Sequence, residues 1–265
     1  MIAALDWGGS YADAVLWDGK LRGTFSEPSR KTDAERLLRK TLVYNRKTLD
    51  EVHCVALTGG DARRVGNSVL GKPVRAFNEL SCIAKGSAFL SGKKEAVAVS
   101  CGTGTAIVYY SGQKIVHLGG TGVGGGALEG LSRLLLARPV EDLESLAHFS
   151  KKNLDLTVQD IVGSGIGRIP GNATASNFGK VGKKQTQGAI ARSLLHLVAE
   201  TIATTASLAS EKTNCADLVF VGRVAQNPFI QERLRFTADV FGKDCFFPKK
   251  GEYATAIGAA LMAYK

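Results

Sequence analysis

The 265-residue sequence contains no apolar run approaching the 18 residues that a membrane-crossing helix needs. Its opening residues, MIAALDW, are strand-like and lack the basic stretch of an export signal. A cytoplasmic protein that does not engage a membrane is therefore expected. There is also no CxxC pair and no metal-binding spacing of cysteines. The five cysteines, Cys54, Cys82, Cys101, Cys215 and Cys245, are odd in number, far apart and mostly in apolar strand-like runs. They are expected as buried free thiols in a reducing compartment. Nor is there a basic tail: the formal charge of +10 comes from Lys and Arg spread over the whole length. With no helix-turn-helix, zinc-finger or aromatic stacking signature beside it, this charge does not argue for nucleic acid. It suits attraction for small polyanions.

What is present is an ordinary globular composition, 45% hydrophobic and 22% charged, so the chain is expected to fold throughout. Its first segment reads as a strand (IAALD), a turn over Trp7–Ser10, a strand (YADAVLW), a turn at Asp18-Gly19 and a strand (KLRGTF). Asp-Gly between apolar runs is a hairpin signal. A helix follows from about Thr32 to Tyr44, with Leu37, Leu38, Leu42 and Val43 at helical spacing. Then come a strand (VHCVALTG), a short helix after Asp61, a strand (VRAF) and a helix from about Glu79 to Leu90.

The opening pattern then returns. EAVAVS, Cys101–Thr105, AIVYY, Ser111-Gly112 and QKIVHL repeat strand, glycine turn, strand, tight turn, strand, with Asp6 falling on Ser100 and Gly8 on Gly102. A repeated meander of this kind sets two glycine turns face to face across a cleft. The second half continues with a helix from about Gly125 to Leu136, an irregular linker, and a long helix from about Gln187 to Ser210. A strand (LVFVG), a helix from Pro228, a strand (CFFP) and a closing helix (ATAIGAALMAY) complete the chain. The expectation is an α/β, two-lobed, duplicated ribonuclease H-like fold, with lobes over residues 1–92 and 93–265.

Three glycine stretches can bring backbone N–H groups onto a phosphate chain: Asp6-Trp-Gly-Gly-Ser10, Gly102-Thr-Gly-Thr105 and Gly119-Gly-Thr-Gly-Val-Gly-Gly-Gly126. The last runs into a helix, whose N-terminus favours anions. Asp6 ends a strand just before such a turn, where it could cap its own loop or hold a nucleotide-bound Mg²⁺. Glu79 opens a helix, where it could favour the helix dipole or act as a general base. Local sequence leaves both pairs of readings open.

Gly102-Thr-Gly-Thr105 followed by GGTGVGGGALEGLSRLL resembles the central signature of type II pantothenate kinases. Asp6-x-Gly-Gly-Ser10, Leu57-Thr-Gly-Gly60, Glu79 seven residues before Gly86, Ala175-Ser-Asn-Phe-Gly179, Val221-Gly222 and Ala256-Ile-Gly-Ala259 follow in order along the chain. The resemblance implies the actin-like ATPase and kinase superfold, and transfer of the γ-phosphoryl group of ATP to the primary hydroxyl of pantothenate, the first step towards coenzyme A. It assigns Glu79 as catalytic base and Asp6 to Mg²⁺. Asp6, Gly8, Gly9, Ser10, Gly102, Thr103, Gly104, Gly122, Gly124, Gly125, Gly126, Gly222 and Arg223 would form the ATP site. Thr105, His117, Gly119 and Thr121 would face the substrate. It also implies a homodimer, with the helix from Gln187 part of the contact.

Departures from the family pattern are Asp13 where a Lys is common, His117 where an Arg would clamp the pantothenate carboxylate, Ser100 for Asn, and Arg223 for a small polar residue. Asp13 is expected to weaken ATP binding unless Arg223 restores the charge. His117 points to pantetheine as an alternative acceptor, and the two changes together leave open a regulator that has lost catalysis. An N-acetylhexosamine kinase lacks the GGTGVGGG match, and a dehydratase activator would need cluster-bridging cysteines that have no matching pair here.

Overall fold

The computed structural model describes residues 1–60 and 65–264. The short helix expected after Asp61 lies outside the described residues. The chain runs β1 (Ile2–Trp7), β2 (Tyr11–Trp17), β3 (Leu21–Pro28), α1 (Ala34–Tyr44), β4 (Cys54–Gly59), β5 (Ser68–Val69), β6 (Lys72–Ala76) and α2 (Glu79–Ser91). It continues β7 (Glu95–Cys101), β8 (Thr105–Ser111), β9 (Lys114–Thr121), α3 (Gly125–Leu136), α4 (Asp142–His148), β10 (Leu156–Thr157), α5 (Val158–Val162), β11 (Thr174–Ser176) and α6 (Gln187–Ser210). β12 (Asp217–Val221), α7 (Pro228–Val240), β13 (Asp244–Phe246) and α8 (Ala254–Ala263) complete it.

The first sheet has the order β3-β2-β1-β4-β6-β5 and the second β13-β12-β7-β8-β9. In each, a three-stranded antiparallel meander joins parallel strands through its first member, β1 to β4 and β7 to β12. The two hairpin turns use Gly19 and Gly112 at φ 84° and 57°, a conformation open to glycine without steric cost. Thus the repeated sequence pattern is a repeated structure.

Both central strands are buried on two faces, so their alternate residues feed two cores. Ala3 and Leu5 of β1 pack with Leu37, Leu38 and Leu42 of α1, while Ile2 and Ala4 pack with Ile257 and Ala260 of α8. Likewise Val97 and Val99 of β7 meet Leu194, Val198 and Ile202 of α6, while Ala96 and Ala98 meet Ile83 and Ala84 of α2. Val43, placed by its spacing on the apolar side of α1, is instead 78% exposed.

The boundary expected between residues 92 and 93 falls between the two sheets, and helices cross it in both directions. α2, from the first half, covers the second sheet, and α8, the last helix, covers the first. The two helices touch where Gly86 lies against the Ala254 carbonyl and Gly258 against the Cys82 carbonyl, so closely that a Cβ on either glycine would collide with backbone. The linker after α3 is more ordered than its composition suggests. It holds α4 and α5, and α5 begins with a capping box from Thr157 and Asp160.

The five cysteines are free; Cys82, Cys101 and Cys215 are buried, while Cys54 and Cys245 are partly exposed. Burial pushes the Cys82 and Cys245 thiols up to about 12, which leaves them protonated and unreactive at neutral pH.

Candidate active site between the two lobes

The turn after β1 and the turn after β7 meet across the cleft. Gly8 N–H donates to the Tyr11 carbonyl at 3.0 Å, closing the first turn. Ser29 Oγ donates to the Gly8 carbonyl at 2.6 Å and braces it from β3's end. Opposite, Gly102 N–H donates to the Gly104 carbonyl at 2.9 Å. Ser10 Oγ and Thr103 Oγ1 are 2.9 Å apart, and a Cβ on Gly9 would stand 3.1 Å from Thr103 Oγ1. The glycines therefore permit close approach of the two lobes.

The third glycine stretch, expected as an anion site, has a structural role. Gly125 and Gly126, the first residues of α3, donate their N–H groups to the Gly102 and Thr103 carbonyls at 2.8 and 2.9 Å. A Cβ on Gly124 would come within 2.8 Å of the same two oxygens. Two of the helix's free donors are thus taken by the second turn, and the triple glycine locks that turn to α3. Thr105 Oγ1 donates to the Val123 carbonyl at 2.8 Å, and Val123 N–H to Thr121 Oγ1 at 3.2 Å, so both threonines hold the path between β9 and α3. Gly122 lies exposed within it.

Carboxylates gather beneath the first turn. Asp6 sits opposite Asp13 in the β1–β2 register, which puts both on one face of the sheet. Burial, then the charges of Asp13 and Glu79, hold the Asp6 carboxyl well above the usual carboxylate range, against a hydrogen bond from Thr255. Glu79 is the first residue of α2, after Asn78, whose side chain caps the helix by accepting from Ser81 N–H at 3.1 Å. Glu79 is an exposed residue, yet partial burial of its carboxyl raises its pKa, the direction a general base needs. Among the described residues no group of three or more His, Cys, Asp or Glu is arranged to hold a metal, and Asp6 has no ion-pair partner.

Asp13 is not the uncompensated anion that its position suggested. It is buried, and Arg223, which follows β12, donates from Nη2 to Asp13 Oδ1 at 2.8 Å. Ser26 Oγ also donates to this carboxylate. The expectation that Arg223 returns a positive charge to the first turn thus has a direct contact behind it. Ser26 and Tyr11, over whose ring the guanidinium lies at 4.2 Å, carried no signal in the sequence, because they enter only through folding. Gly222, at φ 88°, lets the chain pass the Cys101 carbonyl, which a Cβ would approach to 2.5 Å.

His117 and Gly119 lie on β9, the edge of the second sheet. The Gly119 φ of 139° is one that favours glycine. His117 is exposed and borders a hollow of about 410 Å³ with Tyr109, Lys114 and Lys212. Among the described residues no hydrogen bond or ion pair ties it to Glu79.

A family model described as Fumble matches residues 96–262. The type II pantothenate kinase of Bacillus cereus (strain G9842) is 31% identical over 223 residues, 80% of this chain and 82% of that protein. That of Oceanobacillus iheyensis is 30% identical over 238 residues, 82% of this chain and 85% of the relative. Among solved structures, the activator of 2-hydroxyisocaproyl-CoA dehydratase from Clostridium difficile with bound ADPNP superposes with a TM-score of 0.73 at 17% identity, covering 99% of this chain and 94% of its own. A ROK hexokinase from Thermus thermophilus gives 0.58 at 18%, covering 98% and 97%. The distant structures show the two-lobed kinase and ATPase fold, and the sequence matches place the chain more narrowly: it belongs to the Fumble family, the family of the type II pantothenate kinases.

Proposed function

We propose that this protein transfers the γ-phosphoryl group of ATP to the primary hydroxyl of pantothenate, the first step of coenzyme A synthesis. What carries the reading is the convergence, in a chain 31% identical to a type II pantothenate kinase, of two glycine turns and two cleft carboxylates. Phosphoryl transfer asks chiefly for positioning and charge stabilisation, and backbone turns braced by hydrogen bonds supply the first.

The family resemblance and the placement of these residues support a division of roles. The turns at Gly8–Ser10 and Gly102–Gly104, with Gly122, Gly124, Gly125, Gly126 and Gly222, form the ATP-binding walls. Glu79 accepts the proton of the attacking hydroxyl, its pKa raised by partial burial in the direction that suits a general base. Thr105, Thr121, Gly119 and His117 line the way to the acceptor. Asp6 suits Mg²⁺, which takes one or two carboxylates and otherwise keeps water and phosphate oxygens; the ion would neutralise charge on the phosphates. The working form is a cytoplasmic homodimer, with α6 in the contact.

ATP consumption measured with pantothenate, pantetheine and N-acetylglucosamine as separate acceptors tests the reading. Turnover with pantothenate is the expected result. Turnover with the sugar alone, or with none of the three, refutes it.

A further inference from the structure

The surroundings of the first turn are acidic. Asp6 and Asp13 stand side by side on one sheet face, the charge of Glu79 reaches Asp6, and that of Glu252 reaches Asp13. A triphosphate would meet repulsion there unless a cation were held in place. Arg223 is the ion-pair partner of Asp13, and the pair joins the two lobes: Asp13 belongs to β2 of the first sheet and Arg223 follows β12 of the second.

The arrangement fixes the guanidinium at both ends. Its backbone is pinned beside the second turn, since Gly222 packs against the Cys101 carbonyl. Its tip is held beside the first, where Nη2 donates to Asp13 Oδ1 at 2.8 Å and to Ser26 Oγ at 3.2 Å. The Tyr11 ring lies against the group, its centroid 4.2 Å from the guanidinium carbon. Both hydrogen bonds use one nitrogen. Arginine carries five N–H donors, and among the described residues Nη1 and Nε have no protein acceptor. The side chain is still 42% exposed. An arginine fixed along one edge with its other donors free is a built site for phosphate oxygens, which a guanidinium binds two at a time.

We infer that Arg223 is the cation that grips the triphosphate of the nucleotide, and that Asp13, from the opposite lobe, is its positioning residue. The inference rests on the kinase reading for the identity of the ligand, but not on any choice of acceptor. A lysine could not do the same work, because one point charge cannot satisfy Asp13 and present a separate pair of donors to phosphate.

Calorimetry with a non-hydrolysable ATP analogue and with AMP separates a phosphate contact from a structural one, since AMP lacks the β- and γ-phosphates. Arg223→Ala is expected to weaken the ATP analogue about ten- to a hundredfold, the loss of a charge-assisted contact, and to leave AMP nearly unchanged. Arg223→Lys, which keeps the charge and the packing stem, is expected to fall between. Arg223→Asp should lose the analogue altogether, and adding Asp13→Arg to it should return part of that affinity. Equal losses for both nucleotides, or no loss in Arg223→Ala, overturn the inference, and so does failure of the interchange to recover binding in a protein with wild-type melting. A wild type that binds the analogue selectively through Arg223 yet phosphorylates no acceptor leaves the inference standing and removes the pantothenate reading. A wild type that binds neither nucleotide sinks both.

Discussion

Ser10 Oγ and Thr103 Oγ1 share a hydrogen bond of 2.9 Å that joins the first lobe's glycine turn to the second's. Each hydroxyl can donate and accept, so each can turn from the other to a phosphate oxygen as ATP enters. Thr103→Val keeps the shape and removes the donor. It should raise the KM for ATP about two- to tenfold, the worth of one hydrogen bond, while the melting temperature stays within about 2 °C of wild type. Steady-state kinetics and a melting curve on the same preparation check this.

Glu79→Gln should lower kcat by roughly 10² to 10⁴ with little change in ATP affinity. Were Glu79 only a first-turn carboxylate favouring the α2 dipole, its loss would cost about 0.3 to 1 kcal/mol of stability and leave turnover intact. Measuring both quantities on this variant decides between the two.

Gly86→Ala and Gly258→Ala each force a methyl group into a facing backbone carbonyl at the α2–α8 contact. Overpacking of this kind costs about 1 to 3 kcal/mol or more. Denaturant unfolding should show the loss in each single variant. A neutral result would mean that the helices separate easily.

Asp155 is buried on the loop that reaches α6, where its Oδ2 lies 2.8 Å from His196 Nδ1 and its Oδ1 accepts Phe178 N–H at 3.1 Å. Burial alone would raise its pKa, but the His196 contact and the Phe178 N–H outweigh burial and bring it below the ordinary value. A depressed carboxylate stabilises the fold above its unfolded pKa, near 4, and that contribution fades as pH falls through the folded value. Asp155→Asn should therefore be less stable than wild type at pH 7 by about 1.5 to 3 kcal/mol. The gap should narrow as the pH drops below about 4, as followed by unfolding at a series of pH values.

His117→Arg gives β9 a guanidinium fork that an imidazole lacks. Preference for pantothenate over pantetheine, which has no carboxylate, should rise about tenfold or more. An unchanged ratio of kcat/KM would place the acid's recognition elsewhere.

The repeated meander was legible in the sequence because its signals are local: Asp18-Gly19 and Ser111-Gly112 mark hairpins, and glycine clusters mark the cleft turns. α4 and α5 were not, since helices of seven and five residues carry too few positions to establish a period. The pairing of Asp13 with Arg223, 210 residues away, was visible only as two unusual residues; nothing local says that they touch. Gly86 and Gly258 stood within recognisable motifs, but their reason, two helices crossing at backbone distance, belongs to packing. The triple glycine at 124–126 looked like an open anion site, and its donors proved to be partly engaged by the Gly102 and Thr103 carbonyls.

The exchange of α2 and α8 between the sheets has a consequence for how the chain is made. The face of β1 formed by Ile2 and Ala4 is sealed by Ile257 and Ala260, residues made long after β1 has left the ribosome. Until they arrive, the first sheet presents an uncovered apolar surface to solvent. Such contacts between segments far apart in sequence slow folding, because a long loop must close before they are rewarded. During synthesis the N-terminal half is thus a natural client for chaperones.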